Sequence, residues 1–114
     1  MQSLTYYWIN VFTSEQDKGN PLPVFVLKKA LSKTAMQQIA TMMNQSETVF
    51  IENLNRDLPK LHIYTPMQEL PFAGHPIIGA LQIIKMLKNS SCTKQIETLA
   101  GIVDIKIDQN KQIY

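Results

Sequence analysis

Pro76-Ile77-Ile78-Gly79-Ala80-Leu81-Gln82-Ile83-Ile84-Lys85-Met86-Leu87 is the stretch on which the fold turns. It reads as a helix from Pro76 to Leu87, with the proline allowed in the first turn because a helix start has no acceptor for that N–H. Apolar residues surround nearly the whole circumference, and only Gln82 and Lys85 interrupt them before Lys88. A helix apolar on most sides is expected to be buried on most sides. In a chain of 114 residues, a sheet wrapped around the helix would achieve that.

The flanking sequence supplies strands for such a sheet. Thr5 to Phe12 is aromatic and β-branched, as suits a partly buried strand. Thr13 to Asn20 is polar, contains Gly19 and reads as a loop. Val24-Phe25-Val26-Leu27 is a continuous apolar run, with Pro21 and Pro23 expected at its edge rather than its middle. Ser32 is a candidate cap for an earlier helix, in which Met36, Ile39, Ala40 and Met43 recur on one face and which fades near Asn44. Thr48 to Glu52 is strand-like, and Asn53 to Pro59 is a polar turn. Leu61 to Thr65 alternates, with Leu61, Ile63 and Thr65 on one side. Pro66 to Pro76 reads as irregular. Further strands are expected at Lys94 to Leu99 and Ile102 to Ile107, on either side of a turn at Ala100-Gly101. Asp108 to Asn110 reads as a last turn before Tyr114.

Composition narrows the function classes. Apolar residues make up 45% of the chain and charged residues 18%, so a core can form and intrinsic disorder is disfavoured. A compact chain of this mass buries roughly two thirds of its unfolded surface, enough for one domain. A formal charge of +2 is too weak to point to a nucleic-acid partner. Cys92 stands alone, which excludes an intrachain disulfide framework and fits a reducing compartment. No apolar run reaches the about 18 residues that span a bilayer. Met1 to Val11 has no basic start of the kind a secretory signal carries. The expected location is the cytoplasm.

Chemistry concentrates in two segments. Asn44-Gln45-Ser46-Glu47-Thr48 joins the earlier helix to the next strand. A carboxylate at Glu47, partly removed from water beside an apolar strand, would suit proton transfer. The competing reading is an ordinary turn glutamate beside locally bonded Ser46 and Thr48. Pro71-Phe72-Ala73-Gly74-His75-Pro76 opens the apolar helix. Helix-start amides favour an anion, Gly74 permits close approach, and His75 is placed to donate, accept or relay a proton. The competing reading is a loop end with a satisfied surface histidine. Glu69 is either a solvated loop acid or a group that orients His75 or touches substrate. His62, His75 and Cys92 lack metal-ligand spacing, and the glycines form no phosphate loop or dinucleotide fingerprint.

An ordered series of segments resembles the phenazine-biosynthesis isomerase-like family of the diaminopimelate-epimerase-like superfamily. It comprises Asn10-Val11-Phe12-Thr13, Gly19-Asn20-Pro21, Met36 to Ala40, Asn44 to Thr48, Ile63-Tyr64-Thr65-Pro66, Glu69 to Pro76, Gly79-Ala80, and Glu97-Thr98 ahead of Gly101. The resemblance implies an α+β domain, with a mostly antiparallel curved sheet or barrel wrapped around a central helix. It implies that Glu47 is the catalytic glutamate that moves a proton during isomerisation. His75 and the amides near Gly74 would line the same cleft, with Asn20, Ser46 and Glu69 as substrate-side supports. No metal or organic cofactor is implied, and Glu47 stands where the superfamily's racemases carry a cysteine.

Family members are typically two-lobed and about twice this length, with the cleft between lobes. Residues 1–114 are therefore expected to match the first lobe. One expectation is an isomerase half acting on a small carboxylated metabolite, completed by a homodimer, a separately encoded lobe or further sequence. The other is a non-catalytic truncated domain that serves as an interaction module or has no activity. Neither needs a nucleic acid or a membrane.

Overall fold

The computed structural model describes residues 3–11, 20–88 and 95–105. The elements run β1 (Thr5–Val11), β2 (Asn20–Val26), α1 (Lys33–Met43), β3 (Thr48–Glu52), β4 (Lys60–Tyr64), β5 (Glu69–Leu70), α2 (Gly74–Lys88), β6 (Gln95–Thr98) and β7 (Gly101–Asp104). The sheet order is β1-β2-β3-β4-β6-β7, with β5 paired to β4. The β1–β2, β3–β4, β4–β5 and β6–β7 pairs are antiparallel, whereas β2–β3 and β4–β6 are parallel. The result is an α+β fold with a curved, unclosed sheet.

The two parallel steps explain where the helices lie. α1 connects β2 to β3, and α2 lies on the connection from β4 to β6. β3 and β4 run in opposite directions, while both crossovers advance the same way across the sheet. The strong preference for right-handed crossovers then requires the two helices on opposite faces. The two cores show that arrangement. Val24, Val49, Ile51, Leu61 and Ile63 pack with Ile77, Ala80, Ile83 and Ile84 of α2. Phe25, Phe50 and Tyr64 pack with Met36 and Ala40 of α1. Alternate residues of the same strands feed alternate faces.

The helix expected to be enclosed is enclosed. Pro76, Ile77, Gly79, Ala80, Leu81, Ile83 and Ile84 are buried, and α2 touches β1, β2, β3 and β4. Gly79 lets the backbones approach: a Cβ there would sit 2.5 Å from a Leu22 methyl and 2.9 Å from a Val11 methyl. α1 begins at its expected cap, where the Ala35 N–H donates to Ser32 Oγ at 3.1 Å. It ends at Asn44, left-handed at φ 54°, a conformation asparagine tolerates better than most residues.

Four details depart from expectation. β2 starts at Asn20 and includes both prolines. Its parallel ladder with β3 begins only at Val24, so the proline segment has β1 as its one strand neighbour. Thr65 lies beyond β4 rather than inside it. Its Oγ accepts from the N–H groups of Met67 and Gln68 at 3.1 and 3.0 Å, which makes it a turn residue. The segment from Pro66 to Pro76 is not wholly irregular, because it holds β5 and the first turn of α2. β7 ends at Asp104, before the expected Ile107. Phe12 to Gly19, Cys92, Lys94, Ile107, the turn at Asp108 to Asn110 and Tyr114 lie outside the described residues.

Candidate functional site

Glu47 is positioned by the reversal between α1 and β3. The Asn44 N–H closes the helix on the Ala40 carbonyl at 3.2 Å, and the chain enters β3 at Thr48. In this strand Val49 and Ile51 face the α2 core while Phe50 faces the α1 core. Glu47, two residues before Val49, shares the α2 parity. It lines a small cleft with Val11, Pro21, Leu22, His75 and Pro76. Both Glu47 and His75 are half-buried, over an apolar wall of Val11 and Leu22.

His75 comes from the other end of the cleft's architecture. α2 starts two residues earlier than its apolar pattern suggested, so Gly74 and His75 occupy the first turn. The helical bonding begins with the Ile77 N–H donating to the Ala73 carbonyl at 3.2 Å. The amides of Gly74 and His75 therefore precede the ladder, and Pro76 sits where its missing N–H is not needed. A Cβ added to Gly74 would meet nothing within 4 Å, so the turn is open to approach from outside. Carboxylate, imidazole and helix-start amides can together exchange a proton with a bound anion and stabilise its charge.

The remaining candidates are distributed differently. Ser46 is exposed and does not line the cleft. Asn20 opens β2, but its side chain lies outside the described residues. Glu69 is apart from Glu47 and His75. It accepts from the Tyr64 hydroxyl at 3.3 Å and lies 3.6 Å from His62 Nδ1. His62 Nε2 contacts Glu52 Oε1 at 2.8 Å. Burial, with the Glu69 carboxylate second, pushes the Tyr64 phenol up to about 12. Tyr64 and Glu69 also border a broad groove against the outer side of α1, beside Gln37 and Thr41.

Sequence reasoning missed this polar string. The sequence places His62 in an alternating strand without metal-ligand spacing, and leaves Glu69 as a solvated loop acid or a group that orients His75 or touches substrate. Strand parity held the available signal, since Glu52, His62 and Tyr64 fall on the positions between the aliphatic ones. Among the described residues, no group of three His, Cys, Asp or Glu side chains could hold a metal ion. No described helix is long and apolar enough to cross a membrane.

Comparison with known proteins adds independent information. The family model described as phenazine biosynthesis-like protein matches residues 9–114. An uncharacterised isomerase from Pasteurella multocida is 42% identical over 110 residues, covering 95% of this chain and 38% of the relative. The trans-2,3-dihydro-3-hydroxyanthranilate isomerase of Pseudomonas chlororaphis is 47% identical over 75 residues, covering 65% of this chain and 27% of that protein. A crystal structure of a PhzC/PhzF protein from Clostridium difficile matches with TM-score 0.78 and 27% identity, covering 95% of this chain and 42% of that one. The chain thus spans well under half the length of these relatives.

Proposed function

Because the chain belongs to the phenazine biosynthesis-like family, which includes named isomerases, we propose that it is the first lobe of a cofactor-independent isomerase. Its substrate class is a small carboxylated metabolite. Glu47 takes a proton from a substrate carbon. The electron pair left behind delocalises into the conjugated system, and the proton returns at another carbon, so nothing is gained or lost overall. His75 assists the transfer, and the amides of Gly74 and His75 stabilise the developing negative charge. Asn20 and Ser46 remain substrate-side candidates by family resemblance alone. The observation that carries this reading is the meeting of Glu47 and His75, from separate elements, on the walls of one cleft.

A second lobe completes the cleft. It comes from a second copy, a separately encoded chain or further sequence. Two features support an added lobe. Apart from its chain neighbours and helix backbone, no atom of the described residues lies within 4 Å of a Cβ placed on Gly74. Phe72 and Leu99, 52% and 56% exposed, flank the bond from the Ala100 N–H to the Pro71 carbonyl. Apolar surface of that kind marks an interaction site. We place the protein in the cytoplasm, without a nucleic-acid or membrane partner. The competing reading is a non-catalytic interaction module, which the exposed Phe72 and Leu99 side chains would equally serve.

The deciding measurement is deuterium exchange from solvent into trans-2,3-dihydro-3-hydroxyanthranilate, the substrate named for the Pseudomonas chlororaphis relative, with other small carboxylates as further probes. Glu47→Gln is expected to slow exchange by roughly 10²–10⁴-fold, the usual contribution of a general acid or base. Equal exchange by both proteins removes Glu47 from the mechanism. No exchange by the native protein, even at concentrations where light scattering shows association, favours the interaction module.

A further inference from the structure

The polar string beneath α1 reaches toward the cleft through β5. That strand is only two residues long, held by the pairs Ile63↔Leu70 and Tyr64↔Glu69. Leu70 packs on the α2 core, which turns Glu69 to the opposite face. There the carboxylate meets the Tyr64 hydroxyl and His62 Nδ1. The other His62 nitrogen is held by Glu52 of β3 at 2.8 Å. All three side chains are largely buried, at 11% exposure for His62, 19% for Glu52 and 13% for Glu69. The ring faces Glu52 at 2.8 Å and Glu69 at 3.6 Å and so staples β3, β4 and β5 at their side chains, where the backbone ladder to β5 has only two pairs. Only Pro71, Phe72 and Ala73 separate β5 from the first turn of α2. Ala73 supplies the carbonyl on which the helix begins.

We propose that Glu69 and His62 are positioning residues for the cleft. Held between Glu52 and Glu69, His62 fixes β5, and β5 fixes where α2 starts and hence where His75 stands opposite Glu47. The inference rests on the reading of that cleft as the reactive site, but its geometry is separately measurable. Glu69 acts through His62 and Tyr64, and it is not among the residues lining the cleft. The Thr65–Gln68 turn before β5 is already tied to α1, through Gln37 Nε2 to the Thr65 carbonyl at 3.0 Å and Thr41 Oγ to the Pro66 carbonyl at 2.7 Å. That leaves the segment after the turn as the part for the staple to hold.

The test is solution NMR of the full chain, following the His75 ring and the backbone amides of residues 73–77. Glu69→Gln keeps an acceptor for the Tyr64 hydroxyl but removes the charge facing His62. It is expected to shift the His75 ring and these amides while leaving those of β7 in place. His62→Phe, which abolishes the staple, should produce the larger shift of the same resonances. His62→Arg retains donors toward both carboxylates and should restore the native positions. Ser32→Ala, which destabilises α1 without touching the string, controls for general loss of stability and should leave His75 unmoved. Native resonances at residues 73–77 in Glu69→Gln overturn the proposal, as does failure of His62→Arg to restore them in a folded protein. If His62→Phe does not fold, the Glu69→Gln spectrum alone decides. These outcomes are distinct from the exchange assay: loss of the assigned role for Glu47 removes the catalytic reading, while the spectra still report whether the staple positions His75.

Discussion

The two faces of the sheet are built from the same strands but solve different problems. Toward α2 the side chains are aliphatic, and the helix is covered on most of its surface. Toward α1 they are aromatic and polar. Phe25 stacks on Phe50 with ring centroids 5.1 Å apart, Phe50 meets Tyr64 edge-on at 5.7 Å, and Tyr64 bonds to Glu69. α1 buries only Met36 and Ala40 fully and leaves its outer side to water. Uniform aliphatic packing gives a rigid base from which the first turn of α2 projects His75. The aromatic face is more selective in direction, and it contains the partly buried Glu52, His62 and Glu69 side chains.

The sharpest way to break this contrast is to truncate each helix. Ile84→Ala, at a residue 1% exposed, should cost about 2–5 kcal/mol, seen as a lower urea midpoint. Met42→Ala on α1, 81% exposed, should stay within about 0.5 kcal/mol. Equal losses at the two sites would mean that the helices share the load. Gly79→Ala comes next, because Leu22 and Val11 must move to admit one methyl. Its expected cost is about 1–3 kcal/mol, and unchanged thermal melting would show that α2 has slack against β1 and β2. Ser32→Ala removes the cap of α1 and should cost about 1 kcal/mol, with lower helix content by circular dichroism.

The smallest effect near neutrality belongs to Tyr64. Its phenol ionises at about 12 in the folded chain instead of the ordinary 10.0. Between those values the folded state holds a proton that the unfolded chain has released, so stability falls as pH rises. The contribution is intact below pH 10.0 and lost as pH passes through about 12. Urea titrations across that window should show a shallower decline for Tyr64→Phe than for the native chain. Parallel declines would remove Tyr64 as a contributor.

Much of the aliphatic face was legible in the sequence. The apolar run of α2 implied enclosure, and Ser32 with Met36, Ile39, Ala40 and Met43 marked α1. The aromatic face is harder to read because Leu61 to Thr65 alternates as a half-buried strand does, with Leu61, Ile63 and Thr65 on one side. Tyr64 is nevertheless only 2% exposed. The clue lay in Val24-Phe25-Val26-Leu27 and Val49-Phe50-Ile51, which are apolar at both parities, as strands covered on both faces are. For the site, the residues mark Glu47 and His75 in two distant segments, and only the family resemblance implies that they line one cleft. The pairing of His62 with Glu52 and Glu69 depends on the β3–β4–β5 register, which no local pattern specifies.

The seam between β4 and β6 has a consequence for how the molecule opens. Their parallel pairing consists of Lys60↔Glu97, reinforced by the Glu97 N–H to the Pro59 carbonyl at 2.9 Å and a Lys60–Glu97 ion pair at 3.9 Å. The β6–β7 hairpin has fuller internal pairing, from Gln95↔Asp104 to Thr98↔Gly101. It is expected to open as a unit, held to the rest by Ile96, Val103 and Ile105 on the α2 core and by the Ala100 N–H to the Pro71 carbonyl. Native-state hydrogen exchange should release the hairpin's amides together, at lower free energy than those of β2, β3 and β4. Partial unfolding then starts at this seam, and it bares the Ile96 pocket of the α2 core before either helix is lost.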